Sequence, residues 1–425
     1  MRIDNQGIVR WRGRAFLAAW TLYAGYYICR KDLGASASSG VSRIAVTLAC
    51  FAVTYAAGQF LGGELADRFG ARRTALAGAA LSVACTCALA WCTQPQLALL
   101  LQSGNGFGQG FGWPSLLKLI GSWFQRGERD RVLGWWSTSY ILGGLLATSL
   151  TTWLVIHTGV DSGAAFYPAY LVSAAALLFA ALFFYRETSD LPPVAPFTPE
   201  TPWPEFSTAG SWNAWRSIAA NRSIRIISGA YFFLKMTRYT LLFWLPHYLI
   251  ASQGYTSRVA DHVASCFELF GFLGPLAAGY VVQRWWSGKR MALAAGVLFG
   301  LAFLCLVHPV LAGSGWFAIC FSISLMGILV CGADILISGM AVLDAAPADL
   351  HGRATGFVNG IGSVGQIFSP FLIMIFVSHL GWTKLFDLFV FFAMVAGIIC
   401  AMGARGRQQT FAPNRSALEP TDQFL

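Results

Sequence analysis

Long apolar runs separated by short polar turns organise almost the whole chain. A helix crossing a hydrocarbon core of about 30 Å needs roughly 20 residues. Runs near that length fall at 15–34, 43–63, 74–93, 96–121, 132–155, 164–185, 224–250, 258–283, 291–311, 314–340, 353–378 and 381–403. The pattern predicts an all-α integral membrane protein with twelve transmembrane helices. Between the sixth and seventh runs lies 186–222, where the proline-rich stretch LPPVAPFTPETPWPEF forbids a helix. The expected organisation is a six-helix bundle over 1–185, a linker over 186–222 and a second six-helix bundle over 223–425.

Composition removes the alternative of several soluble domains. Apolar residues make up 56% of the 425 residues and charged residues 11%, where soluble proteins carry about 25%. The net charge of +10 raises nucleic acid as a partner, but the basic residues form short clusters between apolar runs and no continuous basic domain. Their placement reads as membrane orientation. Of the 29 Lys and Arg, 21 fall in the N-terminus, the segments after the even-numbered spans and the C-terminus. Both ends and the linker are therefore expected to be cytoplasmic. The four Arg before the first span are followed by a long apolar run without a small-residue cleavage site, so that run is expected to be retained. The final residues, Thr421 to Leu425, carry no endoplasmic-reticulum retention signal, which favours a bacterial inner membrane.

The two halves repeat. Gly63-Glu-Leu-Ala-Asp67-Arg68-Phe-Gly70-Ala-Arg72-Arg73 follows the second span, and a related run from Gly279 to Arg290 follows the eighth, offset by 216 residues with one insertion. Parallel six-helix repeats place a substrate site near the midplane between the halves. Ten cysteines lie in apolar runs without a CxxC pair, and six histidines are scattered. No metal or cofactor is implied, and no nucleophile–base pair suggests an enzyme.

Five cations remain inside predicted spans: Arg30, Lys31, Lys118, Lys235 and Arg238. A charge at the bilayer centre costs about 2.5–3.5 kcal/mol on insertion scales. Arg238 stands at the middle of the seventh span, with Lys235 three residues earlier on the same face. Arg30 lies about 22 Å into the first span, by a rise of about 1.5 Å per residue. It either faces the interior, reaches the outer surface or pairs with Asp32. Glu268 and Asp334 are the acidic residues at depth, and either could neutralise a cation. Positive charge outnumbers negative, so the cavity should take an anion. Arginine's planar fork suits phosphate.

The Asp67–Arg73 run resembles the signature loop of the major facilitator superfamily, with Asp67 placed to latch a neighbouring helix and Arg68, Arg72 and Arg73 as further gating candidates. More of the chain is similar to the organophosphate:phosphate antiporter family within it. The similarity is carried by Tyr23 to Lys31, Gly108 to Pro114, Trp136 to Gly144 and Arg238 to Pro246. The resemblance implies two pseudo-symmetric six-helix bundles that exchange an organic phosphate for inorganic phosphate, working as a monomer. It makes Arg30 and Arg238 the phosphate ligands and Tyr23, Tyr27 and Trp136 cavity aromatics. Lys118 falls on a basic position at the cytoplasmic end of the fourth span. Glu268 falls on an acidic position that can pair with the seventh-span arginine. Gln59 stands where a second-span lysine is usual, Tyr140 where the glycerol-phosphate branch has histidine, and Lys235 where it has tyrosine. The family also contains receptors that sense sugar phosphates, which is the alternative reading.

Overall fold

The computed structural model describes residues 5–31, 41–158, 166–191 and 211–405. These residues are helical with short connections, and the helices make twelve crossings. The first six crossings are α1 (Asn5–Lys31), α2 (Val41–Phe69), α3 (Ala71–Leu89), the pair α4 (Pro95–Gly110) and α5 (Gly112–Trp123), α6 (Arg126–Thr158) and α7 (Phe166–Glu187). After a short helix, α8 (Ser211–Ala220), come α9 (Arg222–Gln253), the pair α10 (Ser257–Gly271) and α11 (Leu273–Trp285), and α12 (Arg290–Gly313). The tenth crossing is α13 (Trp316–Ile335), a π-helical turn at Leu336–Ala341 and α14 (Val342–Ala345). The last two are α15 (His351–Leu380) and α16 (Leu385–Arg405).

Among the described residues, six stretches are apolar and long enough on composition alone to cross a membrane, and five of them lie in the second half. The first half carries more of its charge inside its helices. Its α2 runs on to Phe69, beyond the apolar run, because Glu64 and Asp67 find partners across the molecule. Likewise α6 begins at Arg126 and not near 132, since Arg129 and Asp130 are buried in ion pairs. The fourth crossing breaks at Phe111, with Pro114 two residues into α5 unable to donate a helical bond.

The linker carries one short helix beyond the proline-rich run. The proline-rich stretch lies outside the described residues, but α8 forms after the last proline, where Trp215 packs on Phe60 and Phe357. The following Asn221 caps α9, its Oδ1 accepting from the amides of Ser223 and Ile224.

Within each half the helices pack as a bundle, α1 on α6 and α7, α2 on α4, α9 on α16, and α12 on α13 and α16. The halves meet along two seams, α2 with α15 and α6 with α11. Both are closed by glycine. A Cβ on Gly63 would lie 2.5 Å from the Gly352 carbonyl oxygen, and one on Gly134 would lie 2.6 Å from that of Pro275. Both obstacles are backbone and cannot swing aside.

Gly63→Val should therefore hold the α2–α15 seam apart in a folded protein. Spin labels on Arg68→Cys and Lys289→Cys, both exposed in the wild-type chain, should move several ångströms farther apart; an unchanged distance would show that the seam absorbs the added methyls.

Candidate functional site

A narrow cavity lies between the halves. Helical spacing builds its walls. Tyr23 and Tyr27 lie one turn apart on α1, Tyr55 comes from α2 and Trp113 from α5. Tyr231, Lys235 and Arg238 follow one another along a single face of α9, with Tyr239 beside them. Asp334 of α13 and Asn359 of α15 complete the lining.

Arg238 is buried, and its Nη1 donates to Asp334 Oδ2 at 2.7 Å. Its guanidinium lies 4.5 Å from the centre of the Tyr140 ring, and the Tyr140 hydroxyl donates to the same Oδ2 at 3.2 Å. The carboxylate that meets Arg238 is thus Asp334, where the resemblance pointed to Glu268. Glu268 is half-buried on α10, within electrostatic reach of the Cys331 thiol.

Arg30 turns inward. Its Nε donates to Gln109 Oε1 at 3.0 Å, and its Nη1 donates to the hydroxyls of Tyr27 at 3.2 Å and Tyr239 at 3.3 Å. Its guanidinium also lies over the rings of Tyr55, Tyr27 and Phe51. Asp32 falls outside the described residues. Lys235 is 2% exposed, and its Nζ donates to Ser363 Oγ at 2.8 Å and reaches the Asn359 carbonyl at 3.5 Å. Among the described residues, Arg30, Lys235 and Arg238 lie at or beside the cavity with Asp334 as the carboxylate in its lining, a formal excess of two positive charges.

The other expected residues fall behind this lining. Trp136 is fully buried, with its ring 4.9 Å from that of Tyr23 and its indole N–H donating to the Ala19 carbonyl. Gln59 is buried in the α2–α15 seam, one turn beyond Tyr55, and neither amide atom has a hydrogen-bond partner among the described residues. Tyr55 and Tyr239 are central residues that sequence reasoning did not select. Their signal was available, Tyr239 by adjacency to Arg238 and Tyr55 by lying four residues before Gln59 on the same helix face.

At the basic end the cavity is sealed. Asp67 is fully buried, pairs with Lys118 Nζ at 2.5 Å, and accepts from the amides of Gly352 at 2.9 Å and Arg353 at 2.8 Å. Those amides open α15, so the carboxylate completes a helix N-terminus of the opposite half. Arg353 in turn binds Glu64 through Nε at 2.7 Å and Nη2 at 3.1 Å. On the other seam, Arg290 binds Asp130 at 2.7 and 3.0 Å and also meets Asp344, which Arg129 joins at 3.0 Å. Arg68 and Arg73 are exposed. The Arg72 amide donates to Asp190 at the start of the linker, and its guanidinium donates to the Tyr185 carbonyl of its own half. Of the four gating candidates, Asp67 crosses to the other half.

A twelve-crossing helical protein with a charged cavity between repeated halves is a multi-pass membrane carrier by architecture, not an enzyme. The chain belongs to the Major Facilitator Superfamily, whose family description matches residues 15–260 and 227–422. Among relatives, the "Membrane sensor protein UhpC" of Salmonella typhimurium is 27% identical over 91% of this chain and 90% of its own length. The "Glycerol-3-phosphate transporter" of Bacillus subtilis is 24% identical over 92% of each. The crystal structure of the E. coli fucose:proton symporter superposes with a TM-score of 0.71 at 14% identity, covering 93% of this chain and 99% of that one; this likeness concerns the fold.

Asp67→Asn would leave the Lys118 ammonium buried and unpaired, at a cost of about 3–5 kcal/mol. Thermal unfolding in detergent should show a lower midpoint for Asp67→Asn than for Asp67→Asn combined with Lys118→Met. Equal midpoints would mean that the pair contributes nothing in the closed state.

Proposed function

We propose that this protein is a secondary antiporter exchanging an organic phosphate, of the sugar-phosphate or glycerol-phosphate type, for inorganic phosphate. The observation that carries the reading is the excess of two positive charges, among the described residues, at a buried cavity shared by both halves. A phosphate dianion balances that excess. The names borne by the relatives, a glycerol-3-phosphate transporter among them, point the same way. Arg30 from the first half and Arg238 from the second hold the phosphoryl group, so the bound anion draws 1–185 and 223–425 together as two moving bodies. Lys235 is a third ligand and replaces the charge absent at Gln59. Tyr23, Tyr27 and Tyr140 orient these groups, and Trp136 backs Tyr23.

Exchange is coupled because the empty cavity buries uncompensated charge, which raises the barrier to reorientation, while a loaded cavity is neutral. Asp67 biases the closed basic end without touching substrate. The basic end faces the cytoplasm by the distribution of Lys and Arg, and the membrane is a bacterial inner membrane. One chain suffices, since both halves of the site are in it.

Counterflow in proteoliposomes loaded with phosphate tests the reading: labelled phosphate should enter, and an organic phosphate should compete. No exchange and no competition would sink it. Arg30→Lys and Arg238→Lys should each lower phosphate exchange by at least about tenfold although charge is kept, because an ammonium cannot reproduce the fork. A near wild-type rate in a folded variant would remove that arginine from the ligand set. Lys235→Gln should weaken the apparent affinity for phosphate, and Lys235→Tyr should regain part of its lost exchange when Gln59→Lys is added. Unchanged affinity in Lys235→Gln for phosphate and for every organic phosphate tested would leave Lys235 a structural cation.

A further inference from the structure

The carboxylate in the cavity wall is only half used. Asp334 is 1% exposed and lines the cavity. Its Oδ2 accepts from Arg238 and Tyr140, which come from different helices and fix the side chain. Its Oδ1 has no hydrogen-bond partner among the described residues. The backbone is fixed as well. Asp334 stands two residues before the π-helical turn Leu336–Ala341, and Ser338 Oγ donates to its carbonyl at 2.8 Å. A buried carboxylate oxygen without a donor is unfavourable and calls for one. The cavity cations are already placed elsewhere, Arg238 on Oδ2 and Lys235 on Ser363.

We infer that Asp334 is the specificity-determining residue of the cavity, its Oδ1 accepting a hydrogen bond from a hydroxyl on the non-phosphate end of the substrate. This inference rests on the organic-phosphate reading and narrows it. The three cations are matched by Asp334 together with a phosphoryl dianion, so the cavity is neutral when loaded. A second anionic group on the substrate would be unmatched, and in a narrow cavity that Asp334 itself lines it would meet a like charge. The accepted class is phosphate monoesters of polyhydroxy compounds; phosphorylated carboxylic acids are turned away.

Glycerol 3-phosphate and 3-phosphoglycerate differ by a hydroxymethyl group against a carboxylate, and each can be titrated against labelled phosphate exchange in proteoliposomes. With the wild-type protein, glycerol 3-phosphate should compete at least about tenfold better, since its terminal hydroxyl can donate to Asp334 where the carboxylate of 3-phosphoglycerate would present an unmatched like charge. In Asp334→Asn the ratio of the two affinities should collapse toward one, whatever the overall rate, and Asp334→Ser should do the same. The inference is overturned if wild-type protein takes 3-phosphoglycerate as well as glycerol 3-phosphate, a result that needs no variant to fold, or if the ratio survives in Asp334→Asn. If neither ester competes while phosphate itself exchanges, the organic-phosphate reading fails and this inference falls with it.

Discussion

A single carboxylate, that of Asp67, holds together groups that would each be costly alone. It lies where water does not reach, so its charge must be met by the protein, and it is met four times: by the Lys118 ammonium from its own half and, from the other, by two amides at the start of α15 and the Arg353 guanidinium at 3.7 Å. The ammonium belongs to the same half as Asp67, while the amides and the guanidinium belong to the other. Any parting of this seam would therefore exchange two good hydrogen bonds and the Arg353 contact for water and leave the Lys118 pair within one half. The approach of α15 that brings its amides within reach depends in turn on Gly63 and Gly352, which let backbone meet backbone.

The cavity obeys the same rule of charge matching with a different answer. At the seams every buried ion described has an opposite neighbour. Between the halves, aromatic faces surround the cations instead: Tyr55 lies under both Arg30 and Lys235, and Tyr239 lies near all three. Phenol rings and hydroxyls hold cations in place without neutralising them. Arg238 has Asp334 as well, while Arg30 and Lys235 are held by neutral groups among the described residues.

Much of this was legible from the sequence because the bilayer imposes a simple grammar. Twelve apolar runs gave twelve crossings, and the deep positions of Arg30, Lys235 and Arg238 marked a cavity. Helix ends were less legible, as at α2 and α6, because hydropathy stops where charge begins, while the helices continue when that charge finds a partner. Pairings across the fold could not be read at all. Arg238 had two acidic candidates at similar depth, and only packing of α13 against α9 decides for Asp334 over Glu268. The Arg290–Asp130–Asp344 network was hidden for the same reason, since its members come from three segments far apart in the chain.

The glycine seams have a mechanical consequence. Where Gly63 faces Gly352 and Gly134 faces Pro275 and Gly279, the contact is made by main chain, with no interlocking side chains to withdraw. Parting such surfaces frees no trapped rotamers, and rejoining them requires no side chain to find its place again. Such stretches would slide like plain bearings, leaving resistance to the polar catches at the rim and to the few side chains that do interlock, such as Phe60 against Gly360.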